Sequence, residues 1–112
     1  MLIRHAELRL VGEVADGLEA VQKTEELKPD LILLDIGLPH LNGIEAAKQI
    51  RQVVPGTTIL FLTLNRDADV VREALSTGAK GYVLKADAGK ELWPAIEAVL
   101  QGKQYVSSGL KD

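Results

Sequence analysis

The sequence predicts an α/β fold in which a parallel sheet lies between layers of helices. Short runs rich in Val, Ile and Leu recur without polar alternation, which is typical of strands buried on both faces. Segments with apolar residues at helical spacing lie between these runs. The resulting strand–helix alternation favours parallel strands joined by right-handed crossovers.

The elements follow one another in four strand–helix units. Strands are predicted over residues 8–14, 31–34, 57–64 and 81–84. Helices are predicted where apolar faces recur, at residues 20–27, 44–54, 70–75 and 92–100. Glycine and proline separate the units, as in Asp16-Gly17 before the first helix and Pro55-Gly56 after the second. The polar tail over residues 106–112 is predicted to be a fraying end or the start of a linker.

Length, composition and charge narrow the class of protein. The 112 residues are expected to form one domain, 1–112, with a formal charge of −3. The absence of cysteine excludes disulfides and cysteine-based zinc sites. No apolar run approaches the roughly 20 residues of a membrane span, and no signal peptide is evident. The mild acidity argues against nucleic-acid binding by this chain, so a cytoplasmic domain is expected.

Polar side chains stand where three of the predicted strands end. These residues are Asp35, Thr63 and Lys85, and ligands of parallel α/β sheets bind at that edge. A carboxylate nucleophile, a hydroxyl donor and an ammonium group together fit an anion or phosphoryl site. Each residue also has an ordinary interpretation: a helix cap or turn for the aspartate, packing for the threonine, and a solvated charge for the lysine.

Other common chemistries lack their motifs. No glycine-rich dinucleotide loop follows a strand, and the Gly12–Gly17 spacing of a P-loop is followed by Leu18 instead of lysine. His5 and His40 are isolated, without metal-ligand spacing, and His40 is expected to be exposed in its loop.

Four segments of the chain resemble bacterial response-regulator receiver domains. Residues 30–43, with the sequence DLILLDIGLPHLNG, are similar to the phosphoacceptor segment of that family. Residues 60–63 and 78–85 resemble its fourth and fifth strands, and residues 11–20 resemble its second strand and helix in the NarL/LuxR class. The resemblance extends over nearly the whole chain.

The resemblance implies a flavodoxin-like (CheY-like) fold with strand order 2-1-3-4-5, and a phosphoryl switch. A sensor histidine kinase would donate a phosphoryl group to Asp35, and Lys85 would pair with the carboxylate or phosphoryl oxygen. Thr63 would move to hydrogen-bond the phosphoryl group, and Tyr82 would rotate into the space that it leaves. Asp35 and the backbone carbonyl of Gly37 would be magnesium ligands. The alternative for Tyr82 is an amphipathic residue at the rim.

The resemblance also implies partners. The face formed by the predicted third and fourth helices and the strand between them would be an output surface or a homodimer surface. Transcription control and DNA contact would require an output domain, which this sequence does not encode. The domain itself is not expected to be an enzyme or to bind a membrane.

The chain departs from the family at its N-terminus. The family's first strand ends in an acidic pair that holds magnesium, whereas residues 1–6 here resemble only the last turn of the family's first helix. The domain is therefore expected to be N-terminally truncated, and magnesium is expected to bind weakly or not at all. Asp16 and Asp67 could partly replace the lost acids, although Asp67 is better explained as a helix cap.

The missing strand would leave a gap inside the sheet, with two unpaired edges. Three accounts are open: a truncated product or misassigned start, a strand rearrangement that closes the gap, for example by direct pairing of the flanking strands, or a strand supplied by another protomer. Two functions are open as well, a phosphoryl-accepting receiver and a phosphorylation-independent pseudo-receiver that binds a partner. A metabolic flavodoxin-like enzyme is a distant third, since no cofactor loop is present.

Overall fold

The computed structural model describes residues 1–4, 9–12 and 14–110, and within them a single sheet has the order β2-β1-β3-β4-β5-β6. Its strands are β1 (Leu2–Arg4), β2 (Arg9–Gly12), β3 (Leu31–Leu34), β4 (Thr58–Thr63), β5 (Gly81–Leu84) and β6 (Tyr105–Val106). The helices are α1 (Gly17–Leu27), α2 (Gly43–Val53), α3 (Ala68–Ser76) and α4 (Ala88–Leu100). Strands β3, β4, β5 and β6 are mutually parallel. The predicted α/β class and four strand–helix units are confirmed.

Two apolar clusters lie on opposite faces of the sheet. The cluster on one face joins α1, α2 and α3 through small and branched side chains such as Ala20, Ile50 and Ala74. The cluster on the other face contains Ile96 and Val99 of α4. The central strands β3 and β5 are buried at every residue, which explains why their sequences are uninterrupted apolar runs.

Strand β1 lies where the sequence predicted a gap. It pairs antiparallel with β2 on one side and with β3 on the other, where Leu2 faces Ile32. The N-terminal ammonium of Met1 donates to the carbonyl oxygen of Leu33 at 3.0 Å, and the Leu33 amide donates to the carbonyl of Met1 at 2.7 Å. The central place in the sheet is therefore filled from within the chain, in the reverse direction to the other strands.

This arrangement corrects the prediction for the N-terminus. Residues 2–4 form a strand rather than the end of a helix, so a strand rearrangement within the chain closes the gap, although the flanking strands do not pair directly. No strand from another protomer is needed to close the sheet. Residues 5–8, 13 and 111–112, which include His5 and the ends of the predicted first strand and tail, lie outside the described residues.

The C-terminal segment, residues 105–110, is also more structured than predicted. Tyr105–Val106 forms β6 along the outer side of β5, with Gly81 facing Tyr105 and Tyr82 facing Val106. A 3₁₀ turn, Ser108–Leu110, follows. The prediction of a fraying end is wrong for these residues. In the predicted output face, formed by α3, β5 and α4, the outer side of β5 is therefore paired with β6 of the same chain.

None of the helices in the described ranges is long and apolar enough to cross a membrane.

We expect Leu2→Ala to destabilise the domain by about 2–5 kcal/mol, because a fully buried leucine would be replaced by a cavity. Denaturant unfolding monitored by circular dichroism would measure the loss. Leu18→Ala is the control, since Leu18 is 56% exposed and its truncation should change the unfolding free energy by less than about 0.5 kcal/mol. Equal effects of the two substitutions would contradict the placement of β1 in the core.

Candidate functional site

Three adjacent parallel strands bring Asp35, Thr63 and Lys85 to one edge of the sheet. Asp35 follows β3, Thr63 ends β4, and Lys85 follows β5, so the carboxyl ends of these strands meet there. The Lys85 Nζ donates a hydrogen bond to Asp35 Oδ2 at 2.6 Å, across the end of β4. The predicted convergence of these residues is observed.

Asp35 is a half-buried carboxylate held in its charged form. Its Oδ1 accepts a hydrogen bond from the Gly37 amide at 3.0 Å, while Oδ2 is paired with Lys85. Burial raises the pKa of Asp35, but hydrogen bonds from Lys85, the Gly37 backbone and Thr63 outweigh it, so the pKa lies below its ordinary 3.8. The side chain is therefore ionised at neutral pH.

Gly43 allows helix α2 to begin directly behind Asp35. Its amide donates to the carbonyl of Ile36 at 2.9 Å, and a Cβ at this position would lie 2.1 Å from the Asp35 carbonyl oxygen. Any side chain here would push the Asp35 backbone out of place. In the sequence, Gly43 stood out only as the last residue of the 30–43 segment, and this steric requirement was not predicted.

Thr63 is connected to Tyr82 through Asn65. Thr63 is buried, and its hydroxyl oxygen accepts a hydrogen bond from the Asn65 amide at 3.3 Å. The Tyr82 hydroxyl donates to the Asn65 carbonyl at 2.7 Å. Burial, with smaller contributions from the charges of Asp35 and Asp67, raises the pKa of Tyr82 to about 12. Tyr82 lies in the core, so its alternative interpretation as a rim residue is wrong.

An open cleft lies on the Thr63 side of Asp35. It has a volume of about 420 Å³ and is lined by Asp35, Ile36, Gly37, Thr63, Leu64 and Asn65. Leu64 is 74% exposed at its mouth. Leu64 and Asn65 were not singled out from the sequence, because nothing in their residue types distinguishes a loop that lines a site from any other loop.

A smaller hollow of about 180 Å³ lies on the β1 side of Asp35. Its walls are largely aliphatic, and the residues that line it are Met1, Leu33, Leu34, Asp35, Leu62 and Lys85. Because β1 is antiparallel to β3, its N-terminal end is the one that lies beside Asp35. In the family, the acidic pair stands at the C-terminal end of the first strand. In this chain the C-terminal end of β1 is at the edge of the sheet opposite to Asp35.

Magnesium sites in proteins commonly use one or two carboxylates together with water or phosphate oxygens. Among the described residues no three acidic or histidine side chains are grouped as a metal site. Asp16 Oδ1 caps α1 by accepting from the Glu19 amide at 2.8 Å, and Asp67 Oδ1 caps α3 by accepting from the amides of Asp69 and Val70. The suggestion that these two acids replace the missing pair is not supported, and the cap interpretation of Asp67 is confirmed.

His40 is exposed, as predicted, but it is not isolated in space. Its Nδ1 lies 3.0 Å from Asp16 Oδ2, which joins the loop after β3 to the start of α1. Hydrogen bonds from the Glu19 backbone and from His40 lower the pKa of Asp16.

Comparison with known proteins identifies the class to which this fold and site belong. The sequence matches the response regulator receiver domain family over residues 1–97. The chain is a member of this family.

Its relatives belong to the NarL/LuxR class. The chain is 37% identical over 106 residues to the transcriptional regulatory protein DegU of Brevibacillus brevis, covering 95% of this chain and 45% of that protein. It is 38% identical to the oxygen regulatory protein NreC of Staphylococcus epidermidis, covering 98% of this chain and 51% of that protein. The chain thus spans about half the length of these relatives.

The fold agrees with a solved member of the same class. The crystal structure of a LuxR-family two-component response regulator from Aurantimonas superimposes with a TM-score of 0.86 at 38% identity. The match covers 90% of this chain and 72% of that one. The prediction of a CheY-like receiver fold of the NarL/LuxR class is confirmed.

We expect Lys85→Met to raise the pKa of Asp35, because burial would then lack its strongest opposing hydrogen bond. Carbon-13 NMR titration of the carboxyl group would measure the shift. A lowered pKa stabilises the folded state above the unfolded value of 3.8, and this contribution is lost as pH falls through the folded pKa. The stability difference between wild type and variant should therefore be largest above about pH 4 and shrink on acidification.

Lys48→Met provides the control for this titration, since Lys48 pairs with Glu45 on the exposed face of α2 at 3.2 Å. It should leave the pKa of Asp35 unchanged. An Asp35 pKa that is equal in wild type and Lys85→Met would show that the 2.6 Å pair does not govern the charge of Asp35.

Proposed function

We propose that Asp35 is the phosphoacceptor of this receiver domain and that a sensor histidine kinase in the cytoplasm is the donor. The observation that carries the proposal is the ionised Asp35 held by Lys85 at 2.6 Å, at a sheet edge where Thr63 also ends its strand. A carboxylate nucleophile, a cation and a hydroxyl donor are groups that suit an acceptor in phosphoryl transfer.

The transfer step uses one carboxylate oxygen of Asp35. That oxygen attacks the phosphorus of the donor phosphohistidine, a new O–P bond forms as the N–P bond breaks, and the electron pair returns to the imidazole nitrogen. The product is an acyl phosphate on Asp35. Lys85 offsets the growing negative charge, and the cleft beside Gly37 and Thr63 has room for the phosphoryl oxygens.

The charge added at Asp35 is the signal. Phosphorylation adds about −1.5 to −2 charges and three acceptor oxygens. We propose that Thr63 donates its hydroxyl to one of these oxygens and that its link to Asn65 and Tyr82 moves with it. In a longer transcriptional regulator, the output would be passed through the face between α3, β5 and α4, by homodimer formation or by contact with a DNA-binding domain.

Incubation with acetyl phosphate and magnesium should add one phosphoryl group to wild type and none to Asp35→Asn. Intact-protein and peptide mass spectrometry would locate the modification. Asp69→Asn is a matched control because Asp69 is an exposed aspartate at the start of α3, and it should be modified as wild type is. A folded wild-type domain that gains no phosphoryl group on Asp35 would contradict the proposal.

Receiver domains of this family typically bind magnesium, and we propose that this chain binds it weakly or not at all. The support is the aliphatic lining of the hollow beside Met1 and the use of Asp16 and Asp67 as helix caps. Phosphorylation of Asp35 by acetyl phosphate should change by no more than about twofold between chelator and millimolar magnesium, since few oxygen ligands are available. NMR shifts around Asp35 during a magnesium titration provide a readout independent of phosphorylation. A saturable shift there, with strong acceleration, would contradict weak binding.

The same aliphatic hollow favours a second candidate, a receiver-like domain that binds its partner without phosphorylation. In that case Asp35→Asn would bind the partner as tightly as wild type. A large loss of binding in the variant would exclude this function. Neither candidate requires the domain to turn over a substrate as an enzyme.

A further inference from the structure

Residues 105–110, here called the strap, are bound to the rest of the domain by three sets of contacts. Along β5, the Tyr105 amide donates to the Lys80 carbonyl at 2.9 Å and the Ser107 amide donates to the Tyr82 carbonyl at 2.8 Å. These bonds make the strap the edge of the sheet. They also attach the strap to the backbone of Tyr82, whose hydroxyl contacts the loop over residues 63–65.

Two carboxylates provide the second set of contacts. The Glu91 carboxylate accepts from the Tyr105 hydroxyl at 2.8 Å and from the Ser108 amide at 2.9 Å, as well as from the Ser108 hydroxyl. The Asp87 carboxylate accepts from the Ser107 hydroxyl and from the Gly109 amide, the latter at 3.3 Å. Ser107 is fully buried, so its contact with Asp87 is shielded from water.

The third contact comes from the loop after β4. The Arg66 guanidinium donates to the Gly109 carbonyl at 3.3 Å. A groove of about 320 Å³ lies between the first turn of α3 and the strap, with Arg66, Val71 and Leu110 among its walls.

Two anchors of the strap, Asp87 and Arg66, are close in sequence to residues of the Asp35 site. Asp87 is the last residue of the 3₁₀ turn Lys85–Asp87, whose first residue pairs with Asp35. Arg66 follows Asn65, which bonds both Thr63 and Tyr82. One end of a short turn cannot move far unless the other end moves too. A displacement of Lys85 or Thr63 therefore also moves an anchor of the strap, which is two or three residues away.

Resting on the proposed function, we propose that the strap is a latch whose hold on β5 depends on the state of Asp35. A phosphoryl group on Asp35 attracts the Lys85 ammonium and the Thr63 hydroxyl. Both movements shift the chain next to the anchors Asp87 and Arg66. Phosphorylation therefore weakens the contacts of the strap and exposes the outer side of β5. The coupling is reciprocal, because a ligand that weakens the strap must itself bind more tightly when the strap is already weakened.

Amide hydrogen exchange tests the latch directly. Beryllofluoride, an analogue of the phosphoryl group, should accelerate exchange at the amides of Tyr105, Ser107 and Gly109 by about fivefold or more. Lys85→Met should accelerate the same amides without any ligand, because the turn loses its attachment to Asp35. Lys48→Met, which removes an exposed ion pair on α2, should leave them unchanged.

The reciprocal measurement uses the anchors. Asp87→Asn and Glu91→Gln should each increase beryllofluoride affinity, by about fivefold or more if the coupling has a typical strength. Glu97→Gln, on the exposed side of α4, should not. Ser108→Ala removes one hydroxyl from the Glu91 contact and offers a milder variant if a charge change unfolds the domain.

The outcomes separate the latch from the phosphoacceptor proposal. Unchanged strap exchange in Lys85→Met and in the beryllofluoride complex would overturn the latch while leaving Asp35 as acceptor. Failure of beryllofluoride to bind wild type would count against the acceptor, and the exchange rates of Lys85→Met would still decide whether the strap responds to the site. A strap with a purely structural role would exchange at the same rate in wild type, in Lys85→Met and in the beryllofluoride complex.

Discussion

The ion pair between Lys85 and Asp35 depends on the parallel order of β3, β4 and β5. The two residues follow strands that are separated by β4, roughly 10 Å between strand axes, so only a long cationic side chain can cover the distance. The pair then fixes the turn after β5 against the loop after β3, with Thr63 between them. The charge of Asp35, the cleft and the position of the strap's anchors all follow from this geometry.

The residues that could be predicted from the sequence are those whose signal is local. Uninterrupted aliphatic runs identified β3, β4 and β5, and a parallel sheet then requires the residues at their carboxyl ends to meet. Asp35, Thr63 and Lys85 were found for this reason. Helix starts at Asp16 and Asp67 were marked by side chains that accept amide hydrogen bonds in the first turn.

The residues that could not be predicted owe their structure to distant partners. Leu2–Arg4 is too short to show a strand pattern and is extended because β2 and β3 both pair with it. Ser107 and Ser108 look like loop residues in sequence, and their hydroxyls bind the carboxylates of Asp87 and Glu91, which are 20 and 17 positions away. The role of Asn65 comes from its backbone, which carries no signal in the residue type.

The length of β6 has a consequence for association between molecules. An edge strand offers unpaired amides and carbonyls to any other chain, and native proteins limit this exposure by keeping such strands short. Here the edge is only two residues long and passes at once into a segment held by carboxylates. The neighbouring strand, β5, is fully buried and uncharged, so it would be far more prone to pair with other chains if it were the edge of the sheet. The strap therefore covers an edge of the kind that favours aggregation, and any state in which the strap is released exposes the backbone of β5 to pairing with another strand.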